Sequence, residues 1–215
     1  MATVLAPPDV CESRVVLPNV SWETYERLLT DLEDCSVPHL TYDRGNLEIM
    51  SPTPKHERLN DAVKIVVNII AQECGIEAVG FGSTTFRRED LERGFEPDSC
   101  FYFQNESVVR DKERLDLTVD PPPDLIVEID ITSPSLDKFS IFAQLGVPEV
   151  WRYDGTILGI FRLEGGSYVE RQSSGVLPIV TNAVLTDFLS ESLTGSRLAW
   201  LRKVQGWARE QQKKD

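Results

Sequence analysis

Three acidic residues share one face of a strongly apolar segment near the middle of the chain. In residues 124–131, Asp124, Glu128 and Asp130 alternate with hydrophobic positions, as the two-residue period of a β-strand requires. A buried strand ordinarily excludes unpaired carboxylates, because removing them from water costs several kcal/mol. A divalent metal is the best candidate for compensating these carboxylates. The alternatives are a lysine, an arginine or water in a cleft.

The spacing of these acids limits which of them can share an ion. About 13 Å separates the Cα atoms of Asp124 and Glu128, whereas about 7 Å separates those of Glu128 and Asp130. A further carboxylate must therefore come from a neighbouring strand, and Asp98, which begins a predicted strand, is the natural candidate. Two or three carboxylates with waters and a backbone carbonyl describe a Mg²⁺ site. Such a site stabilises a transferring phosphoryl group and generates a hydroxide nucleophile.

A lysine should then neutralise developing charge or hold the attacking water. The usual place for it, two residues after the glutamate, is occupied by Asp130. The nearest lysine is Lys138, in the first turns of the helix predicted to follow. Its long side chain can reach back over the end of the strand.

Composition favours a water-soluble protein without a histidine-rich metal centre. Of 215 residues, 41% are hydrophobic and 27% are charged, and the chain has only two histidines. No apolar run approaches the roughly 20 residues of a membrane span, and the N-terminus lacks the pattern of a signal peptide. The four cysteines are scattered without a CxxC pair, which indicates reduced thiols and a cytoplasmic location. The net charge of −13 argues against a protein that binds DNA over its whole surface.

Hydrophobic periodicity and turn signals predict alternating helices and strands. Residues 1–17 are predicted to be a poorly ordered lead-in. Helices are predicted at residues 22–34, 55–73, 133–145, 184–192 and 198–208, with a short helical turn at 105–110. Strands are predicted at residues 76–88, 96–103, 124–131, 149–153, 156–163 and 168–172, with a hairpin at 39–50 and a charged turn at 87–94. A strand–helix–strand unit among hairpins implies one domain, residues 1–215, with a mixed sheet and helices on its faces.

Several segments together resemble the Uma-type family of endonucleases, within the PD-(D/E)XK restriction-endonuclease-like superfamily. They read GNLEIMSP (residues 45–52, with His56 opening the next helix), EPD (96–98), EID (128–130), SPSLDK (133–138) and GVPEVW (146–151). The similarity covers roughly residues 20–190. It implies an α/β fold with a restriction-endonuclease-like core, in which helices flank a mixed central β-sheet, with extra N-terminal and C-terminal hairpins and helices.

The resemblance also implies roles for individual residues. Asp98 and Glu128 would bind Mg²⁺, for which Mn²⁺ can substitute, and the Ile129 carbonyl would be a backbone ligand. Asp130 departs from the lysine of the superfamily motif. The family often lacks that lysine, and Lys138 matches its helix lysine, so a migrated catalytic lysine is expected. His56 and its neighbour Glu57 occupy the place of an accessory residue in related nucleases. DNA would be the substrate, and by analogy the protein would be a homodimer.

Structural explanations compete with these roles. Asp98 and Glu128 can be acids paired with Arg87 or Arg88. Asp130 can be an acid in a salt bridge, Lys138 an exposed helix lysine, and His56 a helix-start histidine with local hydrogen bonds. Asp124 is expected to cap or pair locally, and Tyr102 and Trp151 to be core or interface aromatics.

Three functions remain open on the sequence. The leading hypothesis is a magnesium-dependent endodeoxyribonuclease in which Asp98, Glu128, Asp130 and Lys138 form the site. The second is a catalytically degenerate nuclease-fold module that binds a partner or nucleic acid, which the charge of −13 and Asp130 favour. The third is a different metal-dependent hydrolase that uses the same carboxylates.

Overall fold

The computed structural model describes residues 12–33, 35, 37–131 and 136–213 of the chain. In this part of the chain, eleven strands and six α-helices are found. The strands are β1 Ser13–Leu17, β2 His39–Asp43, β3 Asn46–Ser51, β4 Val79–Gly80, β5 Phe86–Arg88, β6 Arg93–Phe95, β7 Ser99–Tyr102, β8 Leu125–Ile129, β9 Glu149–Tyr153, β10 Leu158–Glu164 and β11 Ser167–Arg171. The helices are α1 Trp22–Asp31, α2 Pro54–Cys74, α3 Glu106–Val109, α4 Lys138–Gln144, α5 Asn182–Ser192 and α6 Arg197–Gln212.

The strands form two sheets. The first has the order β1-β3-β2-β6-β5 and is antiparallel throughout, and the second has the order β11-β10-β9-β8-β7-β4. In the second sheet β8 runs antiparallel to β7 and parallel to β9. The parallel pair requires a crossover, which contains α4. The predicted mixed sheet with flanking helices is therefore confirmed, with β8 at its centre.

Strand β8 separates two hydrophobic cores. Leu125, Val127 and Ile129 belong to the core that contains α2, α5 and α6. Ile126 belongs to the core on the other face, with Ile141 of α4. The alternation predicted for this strand is confirmed, and the side chain of Glu128 lies on the same face of the sheet as that of Ile126. The glutamate therefore faces the side of the sheet on which α4 begins.

Helix α2 begins and ends at residues suited to those places. The Thr53 hydroxyl accepts a hydrogen bond from the His56 N–H, and Pro54 occupies the first turn. Gly75 ends the helix in the left-handed conformation, with φ at 66°. This start places the side chain of His56 beside β7 and β8. The predicted helix was therefore correct to within about one residue at either end.

Several predicted elements were wrong in their bounds. Residues 13–17 are not a poorly ordered lead-in but edge strand β1, which pairs with β3 and carries Arg14, whose side chain is 9% exposed. The predicted strand at 76–88 is divided between two sheets, because the chain turns at 81–85 with Gly82 in the left-handed region. The charged turn at 87–94 contains most of a hairpin, β5 and β6. The helix start predicted at residues 133–135 and the helix end at residue 34 lie outside the described residues.

No described helix has both the length and the apolar character needed to cross a bilayer.

Candidate active site

Two paired strands bring Asp98 and Glu128 together. Ser99 of β7 lies opposite Val127 of β8, so the residue before β7 lies beside Glu128 in the antiparallel register. Both carboxylates are almost fully buried, at 3% and 2% exposure. The predicted adjacency of the two strands, on which the sharing of an ion depends, is confirmed.

Asp98 is held from two sides. The Ile129 N–H donates a 2.6 Å hydrogen bond to Oδ2, and Nε2 of His56 lies 3.0 Å from Oδ1. Burial raises the pKa of this carboxyl, but the ion pair with His56, the charge of Lys138 and the Ile129 N–H together lower it below its ordinary value. Asp98 is therefore a fixed, ionised carboxylate.

His56 bridges two carboxylates in the interior. Its Nδ1 lies 2.7 Å from Oε1 of Glu12, and its Nε2 faces Asp98. Burial alone lowers the pKa of His56, but the two carboxylates outweigh this effect and raise the pKa to about 10. The expectation of a purely local helix-start histidine is wrong, because both partners are far away in the sequence. His56 is instead a buried cation that orients Asp98.

The side chain of Lys138 extends back to strand β8, as its length allows. Its Nζ donates a 2.5 Å hydrogen bond to Oε2 of Glu128, and the lysine is only 7% exposed. Oε1 of Glu128 is buried and has no hydrogen-bond partner among the described residues. Burial raises the pKa of Glu128; Lys138 opposes this, Asp98 and Asp130 add to it, and the pKa lies at about 8. The alternative of an exposed helix lysine is wrong, and one oxygen of Glu128 stays without a hydrogen bond beside this ion pair.

Asp130 lies between two arginines. Its Oδ1 is 3.6 Å from Nη2 of Arg14, and its Oδ2 is 3.9 Å from Nε of Arg152. Burial raises the pKa of Asp130, although Lys138 and both arginines oppose the shift. This geometry supports the salt-bridge explanation for Asp130 and gives the carboxylate that replaces the motif lysine two positive neighbours.

Strand β1 supplies site residues that the sequence analysis missed. Arg14 lies 3.2 Å from Oε1 of Glu48 and 3.6 Å from Oε2 of Glu12, in addition to Asp130. The signal was present, because Arg14 and Val16 alternate with Val15 and Leu17 in a short β-branched segment. That segment is only five residues long, and its pairing with β3 is not visible in the sequence.

Other candidate residues lie elsewhere. Arg87 pairs with Glu26 and Arg88 with Asp90, so neither neutralises Asp98 or Glu128. The expectation that Asp124 caps or pairs locally is wrong, because it accepts hydrogen bonds from the N–H groups of residues 103 and 105, which lie 21 and 19 positions away. Tyr102 and Trp151 are fully buried in the protein. Glu57 is exposed and lines a cleft beside Asp98.

The donor set fits a hard cation held by few protein ligands. Among the residues that the structure describes, no three His, Cys, Asp or Glu side chains are arranged to hold a metal ion. Mg²⁺, however, is commonly bound through one or two carboxylates while it keeps several waters. Glu128 offers an unpartnered buried oxygen, and Asp98 lies beside it as an ionised acid. The N–H of Ile129 is bonded to Asp98, and its carbonyl stays a predicted ligand.

Two clefts give access to the acids from outside. One, of about 290 Å³, is lined by Glu128, Asp130 and Lys138, with Phe139 and Arg152. The other, of about 350 Å³, is lined by Asp98 together with His39, Glu57, Asn60 and Lys64, among others. Each carboxylate of the pair therefore lines a cleft of its own, although both side chains are largely buried.

Comparison with known proteins supports the fold and identifies the family. No curated protein matches the sequence. A solved structure described as "a putative nuclease belonging to DUF820", from Anabaena variabilis, is similar with a TM-score of 0.52 and 14% sequence identity. The match covers 79% of this chain and 99% of that chain. It confirms the predicted restriction-endonuclease-like α/β fold.

A family model covers most of the chain. The model of Uma2, described as "Putative restriction endonuclease", matches residues 22–194. This range contains Asp98, Glu128 and Lys138, and it leaves out strand β1 with Glu12 and Arg14. Because the match extends over far more than half of the sequence, the chain belongs to the Uma2 family.

Proposed function

We propose that this protein is a magnesium-dependent endonuclease that hydrolyses phosphodiester bonds in DNA. The observation that carries the proposal is the buried pair of Asp98 and Glu128 on adjacent strands, with Lys138 bonded to Glu128. Membership of the Uma2 family and the nuclease-like fold support a nuclease function.

Asp98 and Glu128, with the Ile129 carbonyl, would hold Mg²⁺, and Mn²⁺ would substitute for it. When bound, the ion would lower the pKa of a coordinated water and stabilise charge on the phosphate. The residues of the chain prepare this site. His56 and the Ile129 N–H keep Asp98 ionised and fixed in orientation, so that little reorganisation is needed when the ion and substrate bind.

Lys138 has the role of the motif lysine in this proposal. Its ammonium group has three N–H donors, of which one is used by Glu128. The remaining donors are available to hold the attacking water and to neutralise charge on the phosphate. Asp130, which stands at the motif position, is balanced by Arg14 and Arg152 and does not compete for these donors through a direct bond to Lys138.

The cleavage test uses supercoiled plasmid with Mg²⁺ or Mn²⁺ and isosteric variants. Wild type should nick the plasmid, Asp98→Asn and Glu128→Gln should lose at least about 100-fold in rate, and EDTA should abolish the reaction. Asp61→Asn, at an exposed acid of α2, is the matched control and should be fully active. Equal activity in all four proteins, or none with either metal, would contradict the proposal.

A catalytically degenerate module that binds nucleic acid or a partner is the second candidate. Its supporting observation is Asp130, which lies between two arginines where the motif has its lysine. A wild type that binds DNA duplex but never cleaves it, with either metal, would favour this function.

The proposal extends to oligomeric state and location. By analogy with the superfamily we propose a homodimer, for which light scattering in solution should give twice the chain mass of 24.2 kDa. Free thiols at Cys35 and Cys100 support a cytoplasmic location.

A further inference from the structure

Arg152 lies beside Glu128 at the edge of the acid cluster. It belongs to β9, which runs parallel to β8, and it is the register partner of Glu128. Partners in adjacent strands project to the same face of a sheet. The arginine therefore extends toward the same cleft as the proposed metal ligand.

Aromatic rings hold the guanidinium of Arg152 in place. Its Cζ lies over the rings of Phe139 and Phe161, 5.4 Å and 6.0 Å from their centroids. These distances are within the range of cation–π interaction. Among the described residues its one salt-bridge partner is Asp130, 3.9 Å from Nε, and Arg152 makes no hydrogen bond to any of them. The arginine is thus fixed in position while most of its donors remain unused.

Exposure distinguishes Arg152 from the other cations of the cluster. Its side chain is 37% exposed, whereas those of Arg14 and Lys138 are 9% and 7% exposed. It lines the 290 Å³ cleft together with Glu128, Asp130 and Lys138. A group that enters this cleft meets a planar guanidinium with free N–H donors. A phosphate matches these donors better than any neutral group does, because it accepts two parallel hydrogen bonds.

We propose that Arg152 binds a phosphate of the DNA backbone beside the scissile bond. This inference rests on the proposed nuclease function and adds a substrate-binding residue to it. Arg152 would give a polyanion a positive contact in a protein with a net charge of −13. The competing explanation is that Arg152 only packs on the phenylalanines and neutralises Asp130.

DNA affinity measured without catalysis separates these explanations. Fluorescence anisotropy of a labelled 20-base-pair duplex is recorded in EDTA over a range of NaCl concentrations. The proteins are wild type, Arg152→Gln, Arg152→Lys and the control Arg209→Gln, which alters an exposed arginine of α6 paired with Glu73. Circular dichroism and thermal melting establish that each variant is folded.

Arg152→Gln should weaken binding about tenfold. It should also make the slope of log K against log[NaCl] shallower by about 0.9, as the loss of one phosphate contact requires. Arg152→Lys should keep the slope and part of the affinity, because it retains the charge without the planar fork. Arg209→Gln should behave as wild type.

Equal affinity and slope in wild type and Arg152→Gln would overturn the inference and leave the nuclease proposal to the plasmid test. If Arg152→Gln melts at a much lower temperature, the result for Arg152→Lys decides between the explanations. Lysine keeps the positive charge, so a shallower salt dependence in Arg152→Lys would also contradict a phosphate contact made by charge. A wild type that neither binds nor cleaves DNA would overturn both proposals together.

Discussion

At the scale of single residues, the site is an alternating series of buried charges. Glu12, His56 and Asp98 form one chain of contacts, and Lys138 with Glu128 forms another beside it. Each buried carboxylate of the pair has a cationic neighbour, which is the condition under which buried charges are tolerated. The unpartnered Oε1 of Glu128 is the exception, and the proposed cation would satisfy it.

His56 should make stability depend on pH. Its folded-state pKa of about 10 exceeds the ordinary value of 6.5, so the stabilisation is fully present below about pH 6.5 and is lost as the pH rises toward 10. His56→Gln removes the cation that bridges Glu12 and Asp98 and should cost about 3–5 kcal/mol at pH 6. Urea unfolding at pH 6 and pH 9.5 should show a smaller difference between wild type and variant at the higher pH. A difference that is constant with pH would contradict a charged His56.

Lys138 should contribute to the reaction more than to metal binding. Lys138→Gln removes a charged donor near the phosphate, and cleavage should fall about 100-fold or more. Mn²⁺ affinity should be retained, because both carboxylates remain. Plasmid cleavage and Mn²⁺ titration of the same variant check this prediction. Loss of Mn²⁺ binding with loss of cleavage would mean that Lys138 acts by organising Glu128.

At the scale of elements, strand β6 lies close under helix α1. A Cβ at Gly94 would overlap the hydroxyl of the buried Tyr25 and lie 2.8 Å from two of its ring atoms. Gly94→Ala should therefore destabilise the protein by about 1–3 kcal/mol, the usual cost of overpacking. Only glycine permits this approach of the strand to the helix.

Gly206 in α6 is the matched control for Gly94. Nothing lies within 4 Å of a Cβ built at this helical position, so Gly206→Ala should stabilise the protein by about 0.5–1 kcal/mol. Urea unfolding of the two variants should shift in opposite directions. Equal effects would show that the contact between Tyr25 and β6 is looser than described.

At the scale of the whole molecule, local patterns were predictable and long-range pairings were not. The alternation of Leu125, Val127 and Ile129 against Ile126 and Glu128 followed from the two-residue period, and it located both cores and the acidic face. The reach of Lys138 followed from the length of its side chain. These features depend on residues close together in the sequence.

The remainder of the site depends on how the two sheets assemble. Glu12 and Arg14 enter the cluster because β1 pairs with β3, and His56 meets Glu12 across 44 positions of sequence. No periodicity within a short segment reports such a pairing. The division of residues 76–88 between two sheets was missed for the same reason, because strand propensity does not specify the partner of a strand.

The central claim is that Asp98 and Glu128 jointly bind one divalent ion. Isothermal titration of Mn²⁺ into wild type, Asp98→Asn, Glu128→Gln and the control Asp61→Asn tests this claim most directly. We predict one site per chain in wild type and in Asp61→Asn, and loss of that site in both Asp98→Asn and Glu128→Gln. Unchanged Mn²⁺ binding in either site variant, with the protein folded, would contradict it.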